Sequence, residues 1–155
     1  MLVLSRQAQP TLDRTRFASA AGVAKGAYVL IDASDGKPDV LLLATGTELA
    51  LAVSAYEQLT AEGIKVRVVS MPPWELFEQQ DQAYRDAVLP PHILARVAIE
   101  QASTFGWAQF VGLQGAVVGM KTFGASAPLK ALLQKFGFTV EAVTAAVKEQ
   151  LAKAG

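Results

Sequence analysis

Val40-Leu41-Leu42-Leu43-Ala44-Thr45-Gly46-Thr47-Glu48 opens the stretch on which the fold turns, and Val66-Arg67-Val68-Val69 closes it. Its first five residues are apolar at every position, as in a central strand covered on both faces. Thr45-Gly46-Thr47-Glu48 has the Thr-x-x-Glu spacing of a capping box, in which hydroxyl and carboxylate satisfy free N–H groups at a helix start. Leu49, Val53, Tyr56 and Leu59 then recur at helical spacing, and Gly63 stands where a left-handed cap would end the helix. Strand, helix and strand over about thirty residues predict a βαβ unit with a right-handed crossover.

Upstream, Tyr28-Val29-Leu30-Ile31 predicts another strand, joined to Val40 by the turn-rich Asp32–Asp39. That link is too short for a crossover helix, so the two strands should be antiparallel if they pair. Downstream, Met71-Pro72-Pro73 stops the third strand, and Trp74 to Val88 reads as one or two short polar helices. Leu94 to Ile99 predicts a fourth strand with Glu100 at its carboxyl end, Phe105 to Phe110 a short helix, and Ala116-Val117-Val118 an edge strand. Ser126-Ala127-Pro128 can cap a helix running to Lys135 with Gly137 closing it, and Thr139 can cap a last helix from Val140 to about Lys153. The fold class that results is α/β, a three-layer α/β/α sandwich on a mixed, mostly parallel five-stranded sheet. Residues 1–26 differ, with the short apolar run Leu2-Val3-Leu4, Pro10 and only weak periodicity. They read as the end of a preceding domain and a linker, with 27–155 as the domain proper.

Composition excludes several functions. Fourteen basic residues offset fourteen acidic ones in 155, so the chain has no electrostatic footprint for nucleic acid or an anionic membrane. Its longest apolar runs are five residues, against the ~20 of a membrane span. No basic start with a long apolar core marks a secretory signal, and a cytoplasmic location is expected. The absence of cysteine removes disulfides, thiolate catalysis and Cys-ligated metals, and one histidine, His92, makes no metal cluster.

The candidate sites are few. The Thr45–Glu48 turn could bind an anion at a helix start, but Glu48 would repel a phosphate, so capping is the preferred reading. Gly106, Gly112, Gly115, Gly119 and Gly124 concentrate glycine late in the chain without either phosphate-loop pattern, which favours close packing. Glu100 has no second carboxylate or histidine near it in sequence, so a hydrogen-bonding or interface role is expected rather than general-base catalysis. His92 sits in a loop after two prolines and is expected to be solvated. Arg6 follows a short apolar run, and its guanidinium suits bidentate phosphate recognition. On spacing alone it reads as a surface arginine.

Several stretches together resemble the transketolase family: Leu4-Ser5-Arg6-Gln7, Gly26-Ala27-Tyr28-Val29-Leu30, Ala44-Thr45-Gly46-Thr47-Glu48 and Val66–Pro72. The likeness continues through Gln80–Arg85, Val88-Leu89-Pro90, Arg96–Glu100, Gly119–Pro128 and Phe136–Val140, in order over nearly the whole chain. The resemblance implies a carboxyl-terminal domain of a homodimeric enzyme. That enzyme moves a two-carbon ketol unit between sugar phosphates with thiamine diphosphate and a divalent metal, Mg or Ca. The family's Gly-Asp-Gly motif and catalytic histidines are missing here, which implies a fragment that holds no cofactor or metal, is non-catalytic alone, and is partnered by the remaining domains. One site carries over: the arginine of Leu-Ser-Arg-Gln, here Arg6, would contact the substrate's terminal phosphate. A free-standing regulatory or anion-binding α/β module, or a small subunit of a split transketolase, are the alternatives.

Overall fold

Val40–Ala44 (β2) sits in the middle of the sheet because nothing in it requires water, and all five residues are fully buried. The computed structural model describes Ser5 and residues 7–154. The other elements are β1 (Tyr28–Ile31), α1 (Glu48–Ala61), β3 (Val66–Ser70), α2 (Trp74–Glu78), α3 (Gln82–Val88), β4 (Arg96–Ser103), α4 (Ala108–Val111), β5 (Ala116–Met120), α5 (Leu129–Phe136) and α6 (Val140–Ala154). The sheet order is β1-β3-β2-β4-β5, parallel throughout except for β1, which runs antiparallel to β3. The expected mixed, five-stranded α/β architecture is therefore what forms. β1 and β2 do not pair, because β3 lies between them, and the antiparallel direction is realised against β3 instead.

Alternation along β2 divides the core. Val40, Leu42 and Ala44 join the cluster formed with α1 and α6, while Leu41 and Leu43 face Phe77, Trp107 and Phe110 from α2, α4 and the loop before it. Ala52 and Ala55 are fully buried on α1, and such small side chains let a helix lie close to a sheet. Past Glu62, Gly63 takes φ +85°, with the Gly63 N–H donating to Thr60 O (3.0 Å) and the Ile64 N–H to Leu59 O (3.0 Å). This is a full Schellman ending, at the glycine the sequence marks for it.

Two arginines close the amino-terminal end of the strands. Arg67 on β3 and Arg96 on β4 both stand opposite Leu41, one row across three strands. Arg67 forks onto Asp32 (Nε to Oδ1 2.9 Å, Nη2 to Oδ2 2.7 Å) and its Nη1 donates to Ala87 O (2.7 Å) at the end of α3. Arg96 donates to the carbonyls of Ile93 (2.8 Å), Pro90 (2.9 Å) and Phe110 (2.7 Å). Both thus satisfy carbonyls that short helices leave free at their C-terminal ends.

The segment before β1 is tied to this body. Phe17 is buried in the α1/α6 core, the Ala18 N–H donates to Leu30 O (2.9 Å), and a 3₁₀ helix spans Ala20–Lys25.

Candidate functional site

In this sheet β2 leads through α1 to β3 on one side, while β4 lies on the other. The carboxyl ends of β2 and β4 therefore flank the switch point at which open α/β sheets bind ligands. Glu100, which lies within β4 rather than at its carboxyl end because the strand runs on to Ser103, acts there on the Thr45–Glu48 turn.

The turn is not a capping box. Thr47, not Thr45, is the N-cap of α1, and no side chain caps the helix. Gly46 takes φ +56°, the first helical N–H groups go to backbone carbonyls, and the Thr47 hydroxyl donates to Glu48 Oε1 at 2.6 Å. The physical reason is register: with Thr47 as N-cap, Glu48 is the first helical residue rather than the third, so its carboxylate, only 5% exposed, meets the Thr47 hydroxyl instead of reaching back to cap Thr45. That burial pushes the Glu48 carboxyl above the usual glutamate range; the Thr47 hydroxyl opposes the shift and the charge of Glu100 adds to it. Glu100 in turn accepts from the Ala102 N–H at 3.0 Å. The hydrogen-bonding role expected for Glu100 is present, and the second carboxylate absent from its sequence neighbourhood is supplied by Glu48. Only the strand order brings the two together, and no sequence spacing could have shown it.

Two carboxylates repel an anion, so the arrangement does not suit phosphate. No nucleophile–histidine pair stands beside it, since His92 is exposed in the loop before β4. Among the described residues no group of three or more His, Cys, Asp or Glu could hold a metal ion, and no helix is long and apolar enough to cross a membrane. Close packing accounts for part of the glycine segment. A Cβ at Gly119 would stand 2.6 Å from Thr104 Cγ2, and one at Gly106 2.8 Å from the Trp74 ring. Arg6 lies outside the described residues.

Fold and site together define an open α/β domain whose switch point carries carboxylates in place of a phosphate loop. The family model of the transketolase-like C-terminal domain matches residues 26–139. The chain belongs to the transketolase family, as its C-terminal domain. Transketolase 1 of Escherichia coli is 52% identical over 150 residues, covering 97% of this chain and 22% of the relative. The transketolase structure from Leishmania mexicana superposes with a TM-score of 0.80 at 43% identity, over 88% of this chain and 19% of that one. A split-gene transketolase, described as an inactive beta4 tetramer, gives a TM-score of 0.66 at 27% identity, over 83% of this chain and 43% of that one. The chain spans about a fifth (22%) of the length of the E. coli relative.

Proposed function

We propose that this chain works as the C-terminal domain of a transketolase and is non-catalytic alone. The assembled enzyme would move a two-carbon ketol unit between sugar phosphates as a cytoplasmic homodimer, using thiamine diphosphate and Mg or Ca. The observation that carries this is 52% identity sustained over 97% of the chain against only 22% of the relative. Residues 1–26 would be the end of a preceding domain and a linker, with 27–155 as the C-terminal domain.

The described residues do not fit the cofactor. The switch point offers the buried Glu48 carboxyl and Glu100, which would oppose a diphosphate, and no metal-binding cluster accompanies them. The remaining transketolase domains would hold thiamine diphosphate and its metal. Arg6 is proposed to contact the terminal phosphate of the sugar substrate. A charge-assisted hydrogen bond is worth roughly 1.5–3 kcal/mol, so Arg6→Ala in the whole enzyme should lower kcat/KM about ten- to a hundredfold with phosphorylated substrates. The loss should fall mainly on KM, and unphosphorylated hydroxypyruvate should be spared. Equal losses with both substrates would overturn the assignment.

A second reading, a small subunit of a split transketolase, draws on the similarity to the split-gene protein. Mixing this chain with a separately expressed amino-terminal part of a transketolase, followed by a xylulose-5-phosphate assay, tests it: turnover by the mixed chains supports the second reading. Micromolar thiamine diphosphate binding or turnover by this chain alone would overturn both.

A further inference from the structure

In the helical layer built by α2, α3 and α4, a cavity of about 250 Å³ opens over the aromatic core. Phe77, Leu89 and Phe110 give it an apolar lining, and all three are buried. The Phe77 and Phe110 ring centroids lie 6.3 Å apart with planes inclined by 51°, a tilted pair against which a third ring can pack edge to face. Glu78, Arg85 and Asp86 bring charge to the same cavity. Arg85 and Asp86 are neighbours on α3, yet the Gln82 side chain bridges them in place of an ion pair. Gln82 Oε1 accepts from Arg85 Nη2 at 2.6 Å, and Gln82 Nε2 donates to Asp86 Oδ1 at 2.7 Å. Arg85 Nη1 donates to the carbonyls of Glu78 and Gln80, both at 2.8 Å. Those bonds take three of the five guanidinium N–H groups and leave two. Among the described residues Asp86 accepts through Oδ1 alone.

We infer that this cavity binds the zwitterion of an α-amino acid with a single-ring aromatic side chain. Its ring rests on Phe77 and Phe110, its carboxylate on Arg85 and its ammonium on Asp86. One amide holds the guanidinium and the carboxylate close together without letting them pair. A ligand that carries the opposite charges at matching separation satisfies both, and an α-amino acid carries them on a single carbon. Glu78 adds a second carboxylate to the lining, so a plain anion is repelled and the ligand must bring a cation as well. Volume sets its size. About 250 Å³ is below the roughly 300–1,000 Å³ of sites for drug-sized ligands, room for one ring and not for a nucleotide. Every group the ligand touches lies in this chain.

An NMR chemical-shift titration of the full chain tests this with L-phenylalanine and three relatives that each lack one part of it. L-Phenylalanine should bind with a Kd of about 1 mM or tighter, an ordinary ligand efficiency for so small a molecule. The shifts should centre on residues 77–110 of the α2–α4 layer and spare α1 and α6. 3-Phenylpropionate lacks the ammonium and phenethylamine the carboxylate, and each should bind at least about tenfold more weakly for the charge-assisted bond it cannot make. Alanine has no ring and should give no saturable shift. Asp86→Asn should weaken L-phenylalanine about tenfold and leave 3-phenylpropionate no weaker than before. No binding of L-phenylalanine by the parent chain, or shifts centred outside the α2–α4 layer, would overturn the site. Equal affinity for L-phenylalanine and 3-phenylpropionate would overturn it too, since the carboxylates would then have no part in binding. So would an Asp86→Asn chain that binds L-phenylalanine as the parent does. If that variant fails to fold, the ligand series on the parent chain decides by itself.

Discussion

The two ends of the sheet are built on opposite plans. At the amino ends, Arg67 and Arg96 hold five backbone carbonyls and the Asp32 carboxylate between them. At the carboxyl ends, Glu48 is buried with one hydroxyl for a partner, and an open depression of about 950 Å³ lies beyond β4 and β5 between Gln101, Met120 and the bare Phe123 ring. One end spends its polar groups on itself, and the other leaves surface for something else. Stability and recognition are thereby separated along the strand axis, as open α/β sheets with sites at their carboxyl ends generally arrange them.

Substitutions can break this contrast. Arg67→Ala should be the costliest: its guanidinium is 8% exposed, and removal strands Asp32 and the α3 carbonyls, a loss of about 3–5 kcal/mol in urea unfolding. Arg96→Ala should cost about 1–3 kcal/mol for a carbonyl left without a donor, read from the same midpoint shift. Asp81 caps α3 by accepting from the Tyr84 N–H at 2.7 Å, so Asp81→Ala should cost about 0.5–2 kcal/mol. Thr45→Ala should stay within about 0.5 kcal/mol, because Thr45 caps nothing with its side chain; a cap-sized loss would restore the capping box.

Glu48→Gln sharpens the contrast by pH. The folded-state pKa of Glu48 is raised, so its contribution to stability is fully present below the ordinary glutamate value and is lost as pH rises through the folded value. The glutamine variant, which can still accept from Thr47, should therefore be more stable than the parent at pH 8 and indistinguishable from it near pH 4. A gain equal at both pH values would show that the charge is not the cause. Phe123→Asp should be the mildest change to the free chain, within about 0.5 kcal/mol, since the ring is 98% exposed among the described residues.

Local chemistry was readable in the sequence and long-range pairing was not. The β2-α1-β3 unit, the Gly63 ending and the Thr139 cap, whose hydroxyl accepts from the Ala142 N–H at 3.2 Å, follow from neighbours within a few residues. The insertion of β3 between β1 and β2, the meeting of Glu48 with Glu100, and the Arg67–Leu41–Arg96 row depend on strand order. The Thr-x-x-Glu signature failed because the helix begins two residues later than it assumes, which makes Thr47 the N-cap and puts Glu48 at the first helical position. Phe123 is legible only as an apolar residue in a polar loop. Its exposure is a property of the fold.

The aromatic layer has a spectroscopic consequence. Both tryptophans of the chain stand edge to face, with Trp74 and Trp107 ring centroids 4.9 Å apart, and both lie in the α2–α4 layer. The Trp107 indole N–H is buried without a hydrogen-bond partner among the described residues, a setting in which indole emits at short wavelength. Intrinsic fluorescence of this chain is therefore a one-sided reporter. It follows that layer alone and is silent about α1 and α6, so an emission change on adding a partner that binds on their side would be the signature of motion carried through the sheet.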